Sequence, residues 1–211
     1  MLEFLERPSS LNENFPLLLM LHGYGSDEND LYSFASELPS EYHIVSLKAP
    51  YRLEPYGNAW YAINFDSDKG KWNNIPQAIE SIELVVNFIQ NFTNERSVDK
   101  SNITLLGFSQ GTILSYALAL NYPHLVKNII GLSGYFDQEM VNNFKSSDEY
   151  KHINCFASHG TQDQVIPIDW GELSYEKLLQ QGINISFKTY PIGHGVSPQN
   201  FYDLKNWLIA H

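Results

Sequence analysis

The sequence predicts an α/β protein: a three-layer sandwich with a mostly parallel central sheet and helices on both faces. Three observations carry this. Strand-like and helix-like patterns alternate along the chain, which implies right-handed crossovers. Nearly every strand-like segment is a continuous apolar run rather than an alternating one, as parallel strands covered on both faces require. No repeat, low-complexity block or Pro/Gly/Ser-rich linker interrupts the 211 residues, so residues 1–211 are expected to form one domain.

The elements follow in order. "PLLLMLH" (16–22) is a buried strand halted at Gly23. Residues 27–38 are expected to be helical, capped by Ser26 or Asp27. "HIVSLKAP" (43–50) is a second strand stopped by Pro50, and residues 51–73, rich in Tyr, Trp, Gly and Asn, look irregular and are the candidate lid. Residues 75–92 place Ile75, Ile79, Ile82, Val85, Val86 and Ile89 on one helical face. Strand 103–108, helix 110–121, strands 128–133 and 153–158, helix 169–181, strand 184–190 and helix 198–210 complete the chain. In such sheets functional residues gather at the C-terminal ends of the strands.

Composition narrows the function. Hydrophobic residues make up 43% and charged residues only 18%, enough apolar material for a sizeable core. The formal charge of -11 repels phosphate backbones and anionic lipid surfaces, so a nucleic-acid partner is not expected. Cys155 is the single cysteine, which excludes an intrachain disulfide and a thiolate metal cluster. The N-terminal stretch "MLEFLERPSSLNENF" lacks the apolar core of a signal peptide, and the apolar run "FPLLLML" is too short to span a bilayer. The expectation is a cytoplasmic protein with no stable membrane insertion.

The chemistry concentrates at "LLGFSQGTILSYALAL" (105–120). Gly107-Phe108-Ser109-Gln110-Gly111 is a G-x-S-x-G pattern between an apolar strand and an apolar helix, the context in which a sharp strained turn projects a serine hydroxyl from the sheet. Without that context Ser109 would be an ordinary helix N-cap. Here it is the candidate nucleophile, and the Gln110 amide, at a helix N-terminus, is a candidate oxyanion donor. A serine needs a base. His194, in the Gly-rich loop "YPIGHGVSP", is the candidate; His22 and His159, each at a strand end and followed by glycine, are its rivals and are expected to pack beside the site. The base needs a carboxylate to fix its tautomer. Asp163 in "SHGTQDQVIP", after a strand and before Pro167, is preferred to Asp137 in "LSGYFDQ", and it gives the chain order Ser, Asp, His, as Asp137 also would. The second oxyanion donor is expected from "LHGYGSDEND", where Gly23 and Gly25 permit unusual backbone angles beside the Tyr24 amide.

With those residues in place, the chain resembles the phospholipase/carboxylesterase family of α/β hydrolases, which includes the acyl-protein thioesterases. The matching segments are "LLLMLHGYGSDEND", "ITLLGFSQGTILSYALA", "ASHGTQDQVIPI" and "YPIGHGVSP". The resemblance implies Ser109 as nucleophile, Asp163 as acid, His194 as base, and the amides of Tyr24 and Gln110 as the oxyanion hole. "NAWYAINFD" is similar to the family's W-[FY]-D substrate-side loop, which implies Trp60 and Tyr61 near the acyl pocket. It further implies that no cofactor and no metal is needed. Three positions depart from the family pattern: Thr112 where a glycine is usual, Ser26 where an aspartate is usual, and Asp66 five residues after Tyr61.

The activity expected is hydrolysis of a small-molecule ester of short to medium acyl length through an acyl-enzyme. Thioesters or lysophospholipids are the alternative substrates, and a peptidase or a catalytically silent binding module are the other readings. Exposed aromatics allow a homodimer, but no apolar stripe demands one.

Overall fold

A computed structural model describes residues 2–66 and 70–211. In chain order the elements are β1 (Phe4–Arg7), β2 (Phe15–Leu21), α1 (Asn29–Tyr32), β3 (His43–Leu47), β4 (Tyr51–Arg52), β5 (Asn58–Ala59), β6 (Ile63–Asp66), β7 (Gly70–Asn73), α2 (Ile75–Glu95), β8 (Val98–Phe108), α3 (Gln110–Asn121), β9 (Asn128–Leu132), β10 (Asn154–Gly160), α4 (Ile168–Gln181), β11 (Asn184–Tyr190) and α5 (Pro198–Ala210). Seven strands form one sheet in the order β1-β3-β2-β8-β9-β10-β11. Every neighbouring pair is parallel except β1 with β3.

The continuous apolar runs are explained by two cores, one on each face. Leu17, Leu19 and Leu21 of β2 face a core shared with α2 and α3, while Leu18 and Met20 face the core under α1 and α5. Successive strand side chains point to opposite faces, so a strand covered on both sides has no solvent-facing position left. The helix α3 is the most enclosed, with every residue from Gln110 to Leu120 buried. Local signals set the helix ends. The Asn74 side chain accepts from the Gln77 amide and opens α2, Ser197 accepts from Asn200 and opens α5, and Gly182 at φ 102° closes α4.

The structure corrects the sequence reading in four places. Residues 27–38 are not one helix; α1 holds four residues and is followed by a 3-10 turn at Ala35–Glu37. Ser33 and Ser36 are weak helix formers, and Pro39 follows closely. The segment 51–73 is not irregular but carries two short antiparallel ladders, β4 with β5 and β6 with β7. Residues 67–69 of that candidate lid, and the side chain of Asp66, lie outside the described residues. β8 starts at Val98 rather than 103, because its polar first half (Asp99, Lys100, Ser101) hides it. β1 was invisible: four half-buried residues are too few to show a period.

Candidate active site

The site's position follows from topology. From β2 the chain moves to β3 on one side, and β8 then pairs with the other side of β2. The strand order therefore reverses between β2 and β8, and the crevice at their C-terminal ends is where open α/β sheets bind ligands. Leu21 stands opposite Gly107 in the register, so the loop after β2 and the turn after β8 emerge side by side.

Ser109 occupies that turn. It is one of three non-glycine residues with positive φ among the described residues, at φ 52° and ψ -114°, a conformation that costs free energy and must be held by its surroundings. Its amide donates to the Leu132 carbonyl at 2.8 Å, and its carbonyl accepts from Thr112 and Ile113. The flanking glycines are explained by close approach. A Cβ on Gly107 would lie 2.5 Å from the Gly111 backbone, and one on Gly111 would lie 1.9 Å from the Leu21 carbonyl oxygen. Thr112, the departure from the family pattern, accepts from the Leu132 amide at 2.9 Å and has the Gly107 carbonyl at 2.8 Å to donate to. It thus ties α3 to β8 and β9.

His194 and Asp163 meet from adjacent loops. His194 Nδ1 lies 2.7 Å from Asp163 Oδ2, and the other carboxylate oxygen accepts from the amides of Val165 at 2.8 Å and Ile166 at 3.0 Å. A carboxylate only accepts, so Nδ1 carries the proton and Nε2 is left with its lone pair. The Asp163 side chain is fully buried. Burial pushes its pKa up, but the His194 N–H and the two amides outweigh that and hold the carboxyl below its usual range. The two loops are held together because Gly160 lets them touch: a Cβ there would be 2.3 Å from the Gly193 carbonyl. The Gln162 amide also donates to Ile192 at 3.0 Å. The His194 ring lies over Phe108, centroids 4.9 Å apart.

The rivals have other partners. His22 donates from Nδ1 to the Gly23 carbonyl at 2.8 Å and accepts the Ala49 amide at Nε2 at 3.1 Å. Burial pushes its pKa down, so it stays neutral. His159 Nε2 donates to the Ile166 carbonyl at 2.9 Å and stands 3.4 Å from Asp163 Oδ2, beneath the acid's loop. Asp137 is held by Asn73 Nδ2 at 2.8 Å and caps a 3-10 turn, and it has no bond to His194 among the described residues.

The loop after β2 brings Tyr24 to the rim. Among the described residues neither the Tyr24 amide nor the Gln110 amide has a hydrogen-bond acceptor. The Gly25 amide donates to Asn58 at 2.9 Å, and the Asn58 amide donates to Ser26 at 2.8 Å, so the small β4–β5 ladder braces this loop. Trp60 and Tyr61 separate in role. Trp60 is wholly buried, donates its indole N–H to the His22 carbonyl at 2.9 Å and does not line the cleft; Tyr61 does.

One cleft of about 230 Å³ joins these groups, lined by Tyr24, Tyr61, Phe108, Ser109, Gln110 and His194 among others. Sequence reasoning missed one device within it. The Gln110 side chain accepts the Trp60 amide at Oε1 at 2.8 Å and donates from Nε2 to the Tyr61 carbonyl at 2.8 Å. A glutamine opening an otherwise apolar helix beside the candidate nucleophile was the available signal, since a buried polar side chain must find partners. Tyr135, Ile113 and Val165 also line the cleft without having been singled out.

A seven-stranded, mostly parallel sheet with helices on both faces and a strained serine at its switch point is the α/β-hydrolase architecture. The chain belongs to the phospholipase/carboxylesterase family, whose pattern matches residues 8–211. It is 32% identical over 154 residues to an acyl-protein thioesterase 1 homolog of Dictyostelium discoideum, covering 72% of this chain and 66% of that one. It is 27% identical over 209 residues to acyl-protein thioesterase 1 of Kluyveromyces lactis, covering 91% and 90%. The chain spans about half the length of several other curated relatives it matches. Among solved structures, the Bacillus cereus carboxylesterase superposes with a TM-score of 0.83 at 19% identity, covering 100% of this chain and 94% of that one, a likeness of fold.

Proposed function

We propose that the protein is a serine carboxylesterase of one domain, acting on short- to medium-chain esters through Ser109, His194 and Asp163. The observation that carries the reading is the His194–Asp163 bond of 2.7 Å beside a cleft that His194 shares with a strained Ser109. In this reading His194 Nε2 takes the Ser109 proton as Oγ bonds to the ester carbonyl carbon. The oxyanion is met by the amides of Tyr24 and Gln110, each worth on the order of 10²–10³ in rate. The proton on His194 then passes to the leaving alcohol as the ester C–O bond breaks. A water gives its proton to the same nitrogen and its oxygen to the acyl carbon, and Ser109 is released with its proton restored. No cofactor or metal enters these steps.

The short acyl preference rests on size. A cleft of about 230 Å³ lies below the 300–1,000 Å³ of common ligand sites. The acyl-protein thioesterases among the relatives favour a second reading, hydrolysis of long-chain thioesters by the same residues. Lysophospholipids belong with it. Hydrolysis of p-nitrophenyl esters from acetyl to palmitoyl, with Ser109→Ala as the blank, separates the two. A Ser109-dependent maximum at short chains is expected; a maximum at long chains transfers the assignment to thioesters or lysolipids. Absence of turnover together with no labelling by a fluorophosphonate probe would leave a binding module.

A further inference from the structure

The cleft lining is of two kinds. Tyr24 is 44% exposed, and Ser26 and Asp30 are polar. Tyr61, Ile113 and Ile166 are buried, and Ile63 and Tyr135 are half-buried. On the esterase reading the buried group takes the acyl chain, because a buried apolar wall gains most from covering alkyl groups.

That wall is not purely apolar. Tyr61 has no exposed surface, and the Gln110 side-chain amide stands beside its hydroxyl, but among the described residues that hydroxyl donates to no acceptor. The adjacent Gln110 amide spends its oxygen on the Trp60 amide and an N–H on the Tyr61 carbonyl. Tyr135 Oη accepts the Asn73 amide at 2.7 Å, which leaves its own proton unspent among the described residues. Native proteins seldom leave a buried hydroxyl proton unspent, and on residues that line a cleft such protons point to a ligand acceptor. Asp137, held by the same Asn73 nitrogen, sets the charge such a ligand can carry. Burial raises the pKa of both tyrosines and the Asp137 carboxylate adds to it, while Gln110 opposes it at Tyr61 and Asn73 at Tyr135. Both therefore remain donors, and a second carboxylate would be repelled.

We propose that the Tyr61 and Tyr135 hydroxyls form a polar end to the acyl pocket, selecting acyl groups that carry a neutral keto, ether or hydroxyl oxygen over plain alkyl chains of equal length. This rests on the esterase reading. The test compares p-nitrophenyl 4-oxopentanoate and p-nitrophenyl 3-methoxypropanoate with p-nitrophenyl pentanoate, each rate divided by its uncatalysed hydrolysis. Wild type and Tyr61→Phe are assayed side by side. Wild type should prefer an oxygenated ester in kcat/KM, and that preference should fall about tenfold or more in Tyr61→Phe, because a site built to donate to an oxygen discriminates against its absence. An identical preference in both proteins, or a wild-type preference for pentanoate, overturns the inference and leaves the esterase reading standing. No Ser109-dependent turnover of any of the three overturns both.

Discussion

Asp163 divides its carboxylate between two tasks: Oδ2 accepts the hydrogen bond of the His194 Nδ1–H at 2.7 Å, and Oδ1 accepts from the amides of Val165 and Ile166. The group that orients the histidine is thus itself fixed by backbone, and its position owes nothing to a flexible side chain. Because Gly160 lets the histidine loop press against the aspartate loop, the pair is placed by two strand ends rather than by chain ends. Such fixation is what a base needs if its free nitrogen is to stay aligned with a nucleophile.

Replacing Asp163 by Asn should act on both activity and stability. The amide can present a donor to Nδ1 and stabilise the wrong tautomer; the equivalent change in a serine-protease triad costs roughly 10⁴ in kcat. The folded-state pKa of Asp163 lies below its unfolded value. Its ionisation therefore adds stability above about pH 4 that is lost as pH falls through the lower folded value. Urea unfolding of wild type and Asp163→Asn at pH 7 and pH 3 checks this. The wild-type advantage should be clear at pH 7 and shrink at pH 3. An advantage that does not change with pH would mean the carboxylate charge contributes nothing to folding.

Ser109 should be replaceable with a gain in stability and a loss of function. At φ 52° and ψ -114° any residue with a Cβ is strained, at about 1–3 kcal/mol. Glycine relieves most of this but costs about 0.5–1 kcal/mol in chain entropy. Ser109→Gly should raise Tm by a few degrees, since about 1 kcal/mol moves a chain of this size by about 2–4 °C. Ser109→Ala, which keeps the Cβ, should leave Tm nearly unchanged. Both should lack esterase activity. A lower Tm for the glycine variant than for the alanine variant would show that the turn is not strained.

The layers, the parallel strands and the tight turn that carries Ser109 were legible because each depends on a short local pattern. Gly107 and Gly111 announce a tight turn, and the 1.9 Å that would separate a Cβ on Gly111 from the Leu21 carbonyl oxygen supplies the reason no side chain fits. What could not be read was set by partners distant in sequence. β1 exists because β3 offers an open edge. The hairpin β4–β5 forms where Gly57, at φ 87°, turns back against Gly25. Trp60 is placed near the acyl pocket by the resemblance of "NAWYAINFD" to a family loop, whereas its indole is committed to the His22 carbonyl, a bond no local pattern encodes. Gln110 was legible through its backbone, as the first residue of a helix, and illegible through its side chain.

That side chain gives the last prediction. Gln110→Ala removes the acceptor of the Trp60 amide and the donor to the Tyr61 carbonyl, both in buried backbone. Each unsatisfied group costs about 1–3 kcal/mol, so together they should lower Tm by roughly 4–24 °C at about 2–4 °C per kcal/mol. The activity should change in a particular way. The Gln110 amide, the candidate oxyanion donor, is backbone and survives the substitution, while the Tyr61 wall of the cleft loses its tether. KM should therefore rise by more than kcat falls. Gln110→Met, which restores volume without the hydrogen bonds, should recover little of either. If Met restores both Tm and KM, the side chain acts by filling space, and the clamp has no part in shaping the pocket.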